Sequence, residues 1–127
     1  MTNQAPIKEH KNKYDLEERT TRFAENVIAF CKKISQNPIT NLLINQLVRA
    51  GTSIGANYAE AEDAESKQDF KHKIAISKKE ARETKYWLRL IATTIPETKE
   101  QAKILWQEAK ELNLIFNAII KSSNNKL

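Results

Sequence analysis

An antiparallel bundle of four α-helices is the fold this sequence predicts, and three features predict it. The 127 residues include only two glycines and three prolines, too little turn material for an all-β chain. Apolar residues recur at alternating spacings of three and four through four separate stretches. The polar breaks between those stretches are short, so successive helices must run up, down, up and down beside one another. A chain of this length forms one domain and can bury a core without disulfide or metal.

Residues 1–13 are polar and aperiodic and read as a disordered N-terminal tail; the bundle domain spans 14–122, and 123–127 should fray. The first helix is predicted to start at Asp15, which can cap the first turn, with Glu18 placed for a capping box. Leu16, Thr20, Phe23, Val27, Phe30 and Ile34 form its seam. Ser35 to Pro38 should stop it, because proline disfavours helical geometry in the residue before it.

The second helix is predicted from about Thr40 to Ala61. Leu43, Leu47, Ala50, Ile54 and Ala61 share one face, with Asn57 in the same seam. Ile44, Val48, Gly51, Gly55 and Tyr58 share a second face. Each mid-helix glycine costs about 1 kcal/mol against alanine, so the pair asks for a reason. Close approach of another helix is the sharper reason, and a helix break is the plainer one. Arg49, Ser53, Ala56 and Glu60 make a third face, free to pair with neighbouring helices or to face water.

Glu62 to Glu65 read as an acidic loop, and Ser66 as the N-cap of a third helix, with Asp69 suited to the helix dipole. That helix is predicted from Lys67 to about Ile91. Its seam is Phe70, Ile74, Ser77, Ala81, Thr84, Leu88 and Ile91. At 100° per residue, Lys67, Lys71, Lys78, Arg82, Lys85 and Arg89 fall within roughly 60° of one another. Asp69, Lys73, Ile76, Glu80, Glu83 and Trp87 form a mixed face of the kind found at polar interfaces. Ala92 to Pro96 form the last connection. A fourth helix, about Glu97 to Lys121, follows with Ala102, Leu105, Ala109, Leu112, Phe116 and Ile119 as its seam.

Charge is unevenly placed. Lys67 to Ile91 carries eight Lys or Arg against three Asp or Glu, and this excess equals the net +5 of the whole chain. Phosphates are the obvious counterpart of such a stripe, although a basic face can also be merely solvated. Only Tyr86 among the aromatic residues is expected near it, so base stacking should add little.

Other chemistry finds no support. His10, His72 and Cys31 have no partners at metal-ligand spacing, no Glu-x-x-His pair suggests a di-iron bundle, and no cofactor motif occurs. No glycine-rich phosphate loop or nucleophile motif appears, so no catalytic residue is assigned. The single cysteine, the absence of a signal-like N-terminus and the absence of a long apolar run lead to the expectation of a cytoplasmic protein without membrane contact.

One stretch resembles a known family. Gln46-Leu-Val-Arg49-Ala-Gly-Thr-Ser53-Ile54-Gly-Ala-Asn57, then Glu60, then Ser66-Lys-x-Asp69-Phe70, then Glu80-Ala-Arg82-Glu83-Thr-x-Tyr86-Trp87-Leu88 resembles the bacterial four-helix bundle proteins, also called the 23S rRNA intervening-sequence protein family. The resemblance covers about Leu16 to Phe116. It implies a ring-like homo-oligomer, commonly a pentamer, and no established catalysis. It also implies a relation to the accessory variability protein of diversity-generating retroelements, whose partners are nucleic acid and a reverse transcriptase.

The combined expectation is a non-enzymatic ring that binds RNA or DNA through Lys67, Lys71, Lys78, Arg82, Lys85 and Arg89, as an accessory factor to a nucleic-acid-processing protein. Arg49, Gly51, Gly55, Asn57, Glu60, Glu80, Glu83 and Trp87 are expected to serve packing and assembly. The alternative is a protein-binding scaffold, and an RNA-processing enzyme is disfavoured for want of histidine–acid chemistry.

Overall fold

The computed structural model describes residues 16–125, and within them every regular element is helical. Helix α1 is Leu16–Lys32, α2 is Pro38–Glu62, α3 is Lys67–Thr94 and α4 is Lys99–Asn125, with a single 3₁₀ turn, Pro96–Thr98, before α4. Each helix packs on its neighbours in chain order, and α4 closes back on α1. The diagonal helices stand further apart and meet through side chains in the core, as Tyr58 of α2 and Phe116 of α4 do. The pairing is antiparallel. Arg49 meets Glu80 while Glu60 meets Lys73, and Lys78 meets Asn117 while Lys85 meets Trp106.

The predicted seams form the core. All six residues of the first seam are buried, as are Ile74, Ser77, Ala81, Thr84, Leu88 and Ile91 of α3 and Ala102 to Phe116 of the α4 seam. Phe70 and Ile119 pack only partly buried at its ends. Ser77 sits fully buried, and its hydroxyl donates to the Ile54 carbonyl at 2.9 Å, so a polar atom in the seam is satisfied across the α2–α3 interface. Asn57 does not enter the core. Its amide donates to the Ser53 carbonyl of its own helix, and Tyr58 is buried in its place against Phe116.

Helix ends differ from expectation in three places. Pro38 starts α2 and does not merely stop α1. Proline has no amide proton to leave unpaired in a first turn, and its fixed φ suits that position. Asn37 caps the helix by accepting from the Ile39 and Thr40 amides, and the Thr40 hydroxyl accepts from the Asn37 amide. At the other end, α3 continues to Thr94 and α4 to Asn125, past Ser122, where fraying was expected. Ser66 caps α3 by accepting from the Asp69 amide, as predicted. The expected Asp15 cap and the N-terminal tail lie outside the described residues.

The glycines explain how α1 docks. A Cβ on Gly51 would lie 3.1 Å from a Val27 methyl, and one on Gly55 would lie 3.0 Å from the Thr20 hydroxyl oxygen. The absence of side chains lets α1 lie close on α2, so the helix-break reading falls. The close partner is α1 of the same chain. The packing expected of these glycines is thus made against α1 within the chain.

Burial also determines the state of the one thiol. Cys31 is buried, and this pushes its thiol up to about 11. Tyr58 is likewise held above its ordinary value, first by burial and then by its hydrogen bond to Glu62. Both groups keep their protons longer in the folded chain. Their contribution is thus complete at neutral pH, and that of the thiol is lost as pH rises from its ordinary range toward about 11. Alkylation of Cys31 should be slow in mildly alkaline buffer and rapid in denaturant. Cys31→Ala should lessen the alkaline fall in denaturation midpoint; an unchanged fall would remove the thiol from the account.

Candidate nucleic-acid interface

The side of α3 that faces away from α2 carries the predicted stripe, and the structure sets it along α4. Lys78 donates to the Asn117 side chain at 2.9 Å, and Asn113 donates back to the Lys78 carbonyl at 2.9 Å. The Lys85 ammonium lies 5.5 Å from the centre of the Trp106 ring, within cation–π range. Lys110, one turn on from Trp106 along α4, lies 5.7 Å from the same ring. Arg82 and Arg89 are exposed, Lys71 is half-buried, and Lys67 is exposed at the first turn of α3.

Helix α4 adds cations that the α3 stripe alone does not reveal. Lys99, Lys103, Lys110 and Lys121 fall within roughly 40° on a helical wheel, on the same side as Trp106 and Asn117. Their alignment is visible in the sequence, but only the fold shows that the two stripes adjoin. Among the described residues, Lys71, Lys78, Arg82, Lys85, Arg89, Lys99, Lys103 and Lys110 form no ion pair. Four carboxylates of these two helices are drawn elsewhere. Glu80 and Glu83 turn to α2, and Glu108 and Glu111 turn to Arg19 of α1. Like charges are thereby concentrated along one pair of helices.

At the end of this face, Leu88, Ala92 and Ala102 floor a cavity of about 350 Å³, with Trp106 as one wall and Arg89, Lys99 and Lys103 at the rim. Trp106 thus corrects the expectation that only Tyr86 lies near the stripe. Tyr86 is exposed and packs edge-on against Trp87.

The α2–α3 seam is a different surface. Arg49 reaches Glu80 and Glu83, Trp87 donates to Glu83 at 3.3 Å, and Lys73 pairs with Glu60 at 2.6 Å. That last contact holds Lys73 above its ordinary range, through the hydrogen bond first and the charge second. The mixed face, expected to serve assembly, meets α2 within the chain. Among the described residues, no buried side-chain polar atom lacks a partner, and no three potential metal ligands gather. A larger hollow of about 650 Å³ lies between α1 and α4, lined by Phe23, Ile104 and Leu105 together with charged and polar side chains such as Arg22, Asn26 and Glu108. Arg19 crosses it to Glu108 and Glu111, and these contacts, Glu108 first, hold its guanidinium more firmly protonated. No described helix is long and apolar enough to cross a membrane.

The chain is similar to a crystallised protein of unknown function from the S23 ribosomal protein family of Bacteroides thetaiotaomicron. Identity is 36%, coverage is 83% of this chain and 97% of the other, and the TM-score is 0.74. No curated protein matches the chain. The model of the 23S rRNA-intervening sequence proteins matches residues 12–118. With nearly the whole bundle matched, the chain belongs to the 23S rRNA-intervening sequence protein family.

Proposed function

We propose that this protein is a non-enzymatic nucleic-acid-binding bundle that holds RNA or DNA by its phosphates across the joined face of α3 and α4. The observation that carries this reading is the segregation of charge. Cations from two adjacent helices share one face while Glu60, Glu80, Glu83, Glu108 and Glu111 are paired on other seams. Phosphate contacts position a nucleic acid without reading its sequence, and they make binding salt-dependent.

The family resemblance supports a ring-like homo-oligomer, a pentamer, which would repeat the basic face around an axis. Exposed Ile39 and Leu42 support self-association, since a neighbouring copy would cover them. We place the protein in the cytoplasm, where its lone thiol stays reduced, with a reverse transcriptase or another nucleic-acid-processing protein as partner class.

Arg82, Arg89 and Lys103 make no hydrogen bond or ion pair among the described residues, so they can be changed with little effect on the bundle. Replacing all three by glutamine should weaken binding to every sequence alike. The slope of log affinity against log salt should fall by about 0.7–0.9 for each phosphate the variant no longer neutralises. Titration of labelled RNA and DNA over a salt series measures both. Unchanged affinity in the triple variant would leave the face as solvated surface and favour the scaffold reading. Mass in solution tests the ring, and a monomer at micromolar concentration would refute it.

A further inference from the structure

We propose that the cavity between the end of α3 and the start of α4 receives one unpaired nucleobase, stacked against Trp106, with the adjoining phosphate held by Arg89, Lys99 and Lys103. This rests on the phosphate-binding reading and narrows it to single strands.

Three observations meet at this place. The floor is apolar, made by Leu88, Ala92 and Ala102, and its volume of about 350 Å³ lies at the small end of the range for small-molecule sites. One wall is an indole, a large planar ring system on which a base can stack. Every charged residue on the rim is a cation. The ligand must therefore join a compact, flat, weakly polar group to a nearby negative charge.

The surroundings decide among such ligands. Cations continue away from the cavity along α3 from Arg89 through Lys85, Arg82 and Lys78 to Lys71, over about 27 Å at the usual rise. A lone small anion would use only the rim. A polymer with a phosphate at every unit and a ring beside each phosphate uses both rim and track. In a duplex those rings are paired and stacked inward, so the cavity would stay empty; a single strand can turn one base into it. An acidic peptide would meet the track but has no ring at each charge.

The test compares a short oligothymidylate with a duplex of equal length at one salt concentration. The parent should bind the single strand more tightly. Trp106→Ala should weaken single-strand binding roughly 5- to 150-fold, the usual range for removal of one stacking platform. Duplex affinity and the salt slope should not move, because no charge is removed. Ala92→Leu provides a second route, since it fills the cavity while keeping Trp106 and every cation. It should have the same selective effect, which covers the case in which Trp106→Ala does not fold. With Trp87→Phe, Trp106 is the one tryptophan left of two, and its emission should fall on adding oligothymidylate but not duplex. Equal affinity of the parent for both forms, or an Ala92→Leu variant that binds the single strand as the parent does, overturns the base site and leaves phosphate binding intact. Failure of the parent to bind either form at low salt overturns both.

Discussion

Gly55→Leu should largely disable the fold of the isolated chain, and Gly51→Leu should do nearly as much. The Gly55 site already has the Thr20 side chain and, at 3.5 Å, the Thr20 backbone beside an added Cβ. A backbone cannot rotate aside as a side chain can, so a leucine must lift α1 off α2. Overpacking costs about 1–3 kcal/mol where neighbours adjust, and the loss should reach or pass the top of that range here. Gly51 faces the Val27 methyls, which are small and movable. Gly51→Ala alone should thus be near neutral, with helix propensity offsetting the tight approach, and Val27→Ala should partly rescue Gly51→Leu. Denaturant unfolding of the double-mutant cycle measures this coupling. If Gly51→Leu lowers the oligomer mass while showing no coupling to Val27, the glycines serve a second copy after all.

Removing Arg49 should have the second-largest effect. Glu80 and Glu83 stand one helical turn apart, with side-chain exposures of 11% and 33%, and Arg49 neutralises both. Arg49→Ala leaves two close carboxylates without their cation. A fully buried broken pair costs about 3–5 kcal/mol and an exposed one about 0–1; with Arg49 45% exposed, a loss of about 2–3 kcal/mol is expected. Glu80→Ala should cost less, because Arg49 keeps Glu83 and water. The double variant should lose less than the sum of the two. Thermal melts of the three proteins check the order, and equal losses for both single variants would contradict the shared-cation geometry.

The seams are legible in the sequence because they depend only on period. Leu47, Ile74, Leu88 and Leu112 repeat at helical spacing, and each is completely buried. Which flank of a helix meets which neighbour is not legible, because that depends on the order of helices around the bundle. Two features turn on this point. The face with Gly51 and Gly55 is filled by α1, a neighbour that the pattern of α2 alone does not name. Trp106 joins the basic stripe from α4; the short connection places α4 beside α3, but only the packed bundle shows which face of α4 lies along the stripe. Pro38 differs for a simpler reason. The same residue that ends one helix can open the next, and only the Asn37 cap shows which it does.

The unequal seams of the bundle have a consequence for how it opens. Helix α1 is the shortest, with 17 residues, and it rests closely on α2 but only lightly on α4, where Arg19 spans the hollow. Helix α3 is held along extensive seams by both α2 and α4. Cooperative units of a protein separate in order of their packing. Amide protons of α1 should therefore exchange with solvent together, through a partial opening, at a lower free energy than those of α3. In that open form the other three helices stay associated, and the protected hydrogens report a three-helix remnant.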